Sequence, residues 1–282
     1  MKKFAVGMAC VATLFCAAVS AKEVRLASDF TYPPFNYKNS AGDPVGFDIE
    51  IADALCKEAK LDCTWVAQSW DALIPSLLAR KSDVIMASMR ITDDRKKKVL
   101  FTNKYYQTPA RFVTRKDATF TLDKAGLTGK VIGVQQGTIH DRYVTDKFGS
   151  VAEIKRYTGQ DEVYIDMQNG RLDATFGNAD QLSLAFLDKA DGQDFEFKGQ
   201  AVTDKAYIGE GTALALRKQD QELAAKFNQA IETIRANVLT TKSQRNISAL
   251  ISTVKTCKST SMSQGEGRLN LHPSRIELNS KS

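Results

Sequence analysis

From Lys22 to Asn237 the chain alternates between two hydrophobic periods. "EVRLAS", "CTWVAQ" and "SDVIMAS" are short apolar runs of strand type. Between them, "FDIEIADALCKEA" and "WDALIPSLLARK" repeat apolar residues at three- and four-residue spacing, the mark of a helix with one buried face. Strand and helix taking turns in this way predict a mostly parallel sheet covered by helices on both faces. A second unit repeats the logic with "KVIGVQQGT", helix "IHDRYVTDKF", strand "EIKRYT", helix "QDEVYIDMQNG", strand "RLDATFGN" and helix "ADQLSLAFLDKA". "YIGEGTALALRK" then reads as a returning strand and "DQELAAKFNQAIETIRAN" as a long closing helix. A chain of this length is comfortable as two units of about 100 residues each. No low-complexity linker divides them, so the units are expected to be joined by extended segments near 107–111 and 202–207.

Ahead of this body stands "MKKFAVGMACVATLFCAAVSA", with Lys2 and Lys3 at its start, a run of small apolar residues, and Val19, Ser20 and Ala21 before Lys22. These are the parts of a secretory signal peptide over residues 1–21, cleaved after Ala21 and sending the rest to the periplasm; the run is too short for a membrane anchor. A lipid anchor would use Cys16, but bulky Phe15 before it makes a poor lipidation site. The net charge of +6 sits at the two ends, since residues 22–237 hold 30 basic and 31 acidic side chains. A near-neutral body has no electrostatic footprint for nucleic acid. Cys56 and Cys63 fall late on a helix and at the start of the next strand, a spacing that a loop-closing disulfide meets in an oxidising compartment; two buried thiols are the other reading. The only histidines, His140 and His272, lack ligand-like neighbours, so neither a metal nor a cofactor is expected.

Four stretches carry a family resemblance: "SDFTYPPFNYKNSAGDPVGFDIEIADALCKEA", "WDALIPSLLARKSDVIMASMRITDDRKKKVLFTNKYY", "GVQQGT" and "LRKQDQELAAKFNQAIETIRAN". They are similar to the periplasmic binding proteins of polar amino-acid ABC importers, above all to the branch that binds lysine, arginine, ornithine and histidine. The resemblance covers nearly all of residues 24–237. It implies an α/β, two-lobed periplasmic binding protein fold of type II, each lobe a mostly parallel sheet flanked by helices, joined by a two-strand hinge. Lobe 1 would comprise residues 22–108 and 206–237, and lobe 2 residues 109–205. It implies a monomer that closes on one amino acid and presents it to an inner-membrane ABC permease, without catalysis.

A zwitterion shut in a cleft needs its carboxylate met by a guanidinium and N–H groups, and its ammonium by oxygen acceptors. In "MASMRITDDRK", Arg95 stands where the family's carboxylate-binding Arg stands, and its planar fork suits that task. The resemblance implies a hydroxyl from Ser88, and further donors from Gly137 and Thr138 at a helix start in the second lobe. Asp29 and Tyr32 match positions that contact the ligand side chain, Asp29 attracting a distant cation and Tyr32 stacking on its stem. Trp70 stands where a Leu or Phe is familiar opposite that Tyr, or else it packs in the core.

The chain departs from the family pattern at Arg90, where Ser is frequent, at Asn178, where an Asp usually takes the α-ammonium, and at Gln135 and Ile139. Arg90 meets an additional acid group on the ligand or points to solvent. Asn178 weakens ammonium binding unless Asp180 or Asp29 substitutes, or it marks an α-nitrogen that is itself substituted, as in opine conjugates of arginine. Some proteins of this fold are dehydratases of prephenate-like acids, which need a carboxylic acid in the cleft. Here Asn178 holds that place, and no histidine is expected nearby.

Beyond Asn237 the pattern fails, and residues 238–282 hold no Phe, Tyr or Trp. Family members follow the matched "IRAN" with something like G-T-Y-D-K-I-A-K-K-Y-F. Consider a message for G-T-Y-D-K-I-A-K-K-Y-F-S-A-D-I-Y-G-K-N-V and a stop, written in ordinary codons and stripped of one leading G. It translates as "VLTTKSQRNISALISTVKTCK", which is residues 238–258 without exception. The tail from Val238 is therefore read as the product of a one-base deletion. Too poor in large apolar groups to offset its ordering entropy, it is expected to be largely disordered, and wholly so from about residue 259. Cys257 belongs to it.

Overall fold

A computed structural model describes residues 23–240. The expected signal peptide and the tail from residue 241 lie outside the described residues. The chain opens with β1 (Glu23–Ser28), a small meander of β2 (Thr31–Tyr32), β3 (Asn36–Lys38) and β4 (Pro44–Val45), and helix α1 (Phe47–Glu58). There follow β5 (Asp62–Ala67), α2 (Leu73–Leu78), β6 (Val84–Ile85), α3 (Asp93–Lys96) and β7 (Leu100–Phe101). The second unit runs β8 (Ala110–Arg115), β9 (Val131–Gln135), α4 (Ile139–Phe148), β10 (Glu153–Tyr157), α5 (Gln160–Gln168), β11 (Ala174–Asn178), α6 (Ala179–Leu182) and β12 (Phe195–Val202). After α7 (Lys205–Ile208) the chain returns through β13 (Ala215–Leu216) and closes with α8 (Gln221–Thr240).

The strands form two five-stranded sheets, in the orders β5-β1-β6-β13-β7 and β10-β9-β11-β8-β12. Each is mostly parallel, with one strand running against the rest: β13 in the first sheet and β8 in the second. These are the strands entered directly after the chain changes lobe. Ala110 pairs with Val202, so the outgoing and returning segments lie side by side. The first sheet buries Leu26, Val84, Met86, Leu214 and Leu216 against α1 and α8, where Leu55 and Phe227 are almost wholly covered. The second buries Ile132, Val134, Phe112 and Phe176 against α4.

One expected element is replaced. The stretch 207–218 is not a single strand: Asp204 caps a helical turn over Lys205–Ile208, Thr212 makes only isolated bridges to Arg90 and Tyr106, and a strand forms only at Ala215–Leu216. Gly209 ends the turn at φ 75, where a Cβ would sit 2.2 Å from the carbonyl oxygen of Ile91. Close backbone approach at this crossing leaves no room for a pleated strand or for any residue but glycine. Tyr207 and Ile208 still pack with the core of the second lobe. A disulfide joins Cys56 to Cys63, tying the end of α1 to the start of β5. Among the described residues, no helix is long and apolar enough to cross a membrane.

Candidate functional site

In parallel sheets, residues just past the strand C-termini collect along one edge, where ligands are bound. Asp29 follows β1, Ser88 and Arg90 follow β6, Gln135 ends β9 and Asn178 ends β11. The two edges face each other across one cavity. Asp29, Tyr32, Trp70, Ser88, Arg90 and Arg95 line it from the first lobe, and Gln135, Thr138 and Asn178 line it from the second. Ala87, Ile139, His140 and Gln160 complete the wall. Gln135 Nε2 spans the cleft to Asp29 Oδ2 at 3.3 Å.

Asp29 is the acidic member. Its Oδ2 accepts from Thr31 Oγ1 at 3.0 Å and from Gln135, whereas Oδ1 is buried with no hydrogen-bond partner. Burial pushes the carboxyl up to about 6. A buried carboxylate oxygen left unpaired is costly by itself and is a strong docking point for a cation.

Two guanidiniums share the cavity with it. Arg95 is held in place by its own Nη1, which donates to the Arg90 carbonyl at 3.0 Å, and by Thr92, whose hydroxyl accepts its backbone N–H at the start of α3. Burial, with Arg142 and Arg90 nearby, lowers its pKa to about 10, so it stays charged at neutral pH. Its guanidinium lies 5.3 Å from the centre of the Trp70 ring, so one face of that indole is taken by the protein's own cation. Arg90 does not point to solvent. It is 4% exposed, its Nη2 donates to the carbonyl and hydroxyl oxygens of Thr108, and its Nη1 is buried without a partner.

Three expected contacts change character. The Ser88 hydroxyl donates to Asp48 Oδ2 at 2.7 Å and accepts from Tyr106 at 2.8 Å. Its proton is committed to a buried carboxylate that also takes Tyr105 and Asn36, so Ser88 contributes backbone geometry, at φ 51, rather than a free hydroxyl. Thr138 caps α4, accepting from Asp141 N and donating to Gln135 O. Asn178 likewise caps α6: its Oδ1 accepts the N–H groups of Asp180 at 3.0 Å and Gln181 at 3.3 Å. The carbonyl oxygen meant for the ligand's ammonium is already in use. Asp180, the other acceptor considered, is half-buried and is not one of the residues lining the cavity.

His140 was expected to lie away from any site, yet it lines the cavity, its ring edge-on to Phe176 and its Nε2 buried without a partner. Burial and the two arginines push it down to about 3, so it is neutral. The available signal was its position on the first turn of α4, two residues after the Thr138 cap.

The bacterial extracellular solute-binding proteins, family 3, match this chain over residues 24–246. The chain belongs to that family. The L-arginine-binding protein of Pseudomonas aeruginosa is 46% identical over 217 residues, spanning 77% of this chain and 84% of that protein. The lysine/arginine/ornithine-binding periplasmic protein of Escherichia coli is 40% identical over 240 residues, spanning 83% and 92%. Among solved structures, a Salmonella typhimurium periplasmic binding protein with high arginine specificity superposes with a TM-score of 0.71 at 33% identity, covering 77% of this chain and 94% of that one. A Silicibacter pomeroyi binding protein in complex with lysine gives 0.68 at 32% identity, covering 82% and 95%. None of these matches supports the dehydratase alternative. As a solute-binding protein of family 3, the chain has its cavity where two α/β lobes meet, and its polar wall is organised for binding rather than turnover.

Proposed function

We propose that this cleft captures a basic L-amino acid of the arginine, lysine, ornithine or histidine type, or an opine conjugate of one, and delivers it to an inner-membrane ABC permease. The observation that carries the reading is the polarity of the cavity. An unpaired buried Asp29 oxygen waits at one side for a side-chain cation, and Arg95 stands ready for the α-carboxylate. Tyr32 and Trp70 line the same cavity and flank the path of the aliphatic stem. Because the polar groups come from both lobes, only the closed form satisfies both ends of the ligand, and binding shifts an open–closed equilibrium towards closure.

The protein works as a periplasmic monomer after removal of residues 1–21, with lobes of residues 22–108 with 206–237 and of 109–205, and with no nucleic-acid partner. The test is a thermal-shift panel of L-amino acids and opines on the exported protein. A ligand at about 100 times its Kd adds about 2.7 kcal/mol to stability. Silence across the whole panel overturns the proposal.

A further inference from the structure

The α-end of the site has donors where a free amino acid needs acceptors. Arg90 and Arg95 both line the cavity, and among the described residues neither forms an ion pair, whereas Asp29 is the one carboxylate in the wall. An arginine keeps its proton, so Arg90 is a buried positive charge; the Asp180 carboxylate attracts it without hydrogen-bonding to it, and its Nη1 is left with no partner. Asn178 adds a third donor. A backbone N–H can only be accepted by the amide oxygen, so the two capping bonds orient Oδ1 towards α6 and leave Nδ2 as the polar atom for the cavity. A free L-amino acid would bring a primary ammonium with three N–H groups to this donor-rich corner and leave Arg90 Nη1 without an acceptor.

We propose that the ligand is a basic amino acid whose α-nitrogen bears a short carboxyl-bearing substituent, with one carboxylate on Arg95 and the second on Arg90 Nη1 and Asn178 Nδ2. This rests on the binding function proposed above and narrows its ligand. Two carboxylates answer two guanidiniums, the secondary ammonium carries fewer N–H groups to satisfy, and the side-chain cation answers Asp29. The Tyr106 ring, 5.9 Å from the Arg90 guanidinium, helps hold that cation in the wall.

Titration calorimetry on the exported full chain, freed of bound ligand, decides it, using L-arginine, L-lysine and their N2-(1-carboxyethyl) derivatives. The derivatives should bind about ten- to a hundredfold more tightly than the parents, the worth of one charge-assisted hydrogen-bonded pair. Arg90→Ser should erase that preference, and the double variant Arg90→Ser with Asn178→Asp should reverse it. Asn178→Asp alone, which changes little volume, should at least halve the preference if Arg90→Ser fails to fold. The preference is a ratio, so a general loss of affinity leaves it readable. Parents binding as tightly as the derivatives would overturn this inference and leave the binding function standing; no binding by any of the four, with a silent thermal-shift panel, would overturn both.

Discussion

Arg142 of α4 donates through Nη1 to Asp94 Oδ2 of α3 at 3.0 Å, an ion pair between the two lobes at the rim of the cleft. The same guanidinium donates to the Ala206 carbonyl, so it holds both the opposite lobe and the returning chain. Both side chains are well exposed, which keeps the pair weak and open to salt. Asp94→Ala should weaken ligand binding about two- to fivefold at low ionic strength, and the effect should shrink as salt is raised. A variant that binds like the native protein in low salt would show that this pair takes no part in closure.

Arg95→Ala tests the carboxylate end. Truncation leaves a buried ligand carboxylate without its guanidinium and should cost about 3–5 kcal/mol of binding. A loss of less than about threefold in Kd would place the carboxylate elsewhere.

The Asp29 carboxyl stands at about 6 in the ligand-free protein, above its ordinary value because it is buried. It is thus mostly protonated below that pH, and its ionised form is disfavoured in the folded state above it. A cationic side chain needs the ionised form, so affinity should be level above about pH 7 and fall about tenfold by pH 5. Stability of the ligand-free protein shows the opposite sign: Asp29 contributes a penalty that is relieved as the pH falls below 6. Asp29→Asn should flatten both profiles, and an unchanged affinity profile would remove Asp29 from cation recognition.

The Cys56–Cys63 disulfide closes a short loop, with a sequence separation of 7. Replacing both cysteines by alanine should lower unfolding stability by about 2–3 kcal/mol, the loop-closure entropy restored to the unfolded chain. Urea midpoints compared with and without reductant on the native chain should show the same shift.

Restoring one G after the Asn237 codon should return three tyrosines and a phenylalanine to the segment that begins at residue 238, in the last turn of α8. That helix packs Ala224, Phe227, Ala230 and Ile231 with the core of the first lobe. Each buried aromatic regained is worth about 3–5 kcal/mol, a large part of a domain's total. The restored chain should therefore unfold at a clearly higher urea concentration and bind ligand more tightly. Equal midpoints, with the present tail protected from hydrogen exchange, would refute the damage even if the deletion is real.

Alternation of strand and helix patterns was enough to read two α/β units from sequence, because the 2- and 3.6-residue periods are local consequences of which face is buried. The motifs around Asp29, Arg95 and Thr138 also singled out residues that meet in one cavity, since strand C-termini in parallel sheets converge on one edge. The segment 207–218 misled because its apolar content is equally suited to a helical turn and to a strand; the close approach of Gly209 to Ile91, more than a hundred residues earlier, decides between them. The same holds for the atoms that a ligand meets. Ser88 spends its proton on Asp48, 40 residues away, and Arg90 spends one nitrogen on Thr108, 18 residues away. Asn178 turns its oxygen to its own helix, and His140 is carried into the cleft by α4. Sequence determined which side chains could reach the cleft. Which of their donors and acceptors stay free there was decided only by the tertiary structure, because a hydrogen-bonding atom has few partners to give and its competitors are distant in the chain.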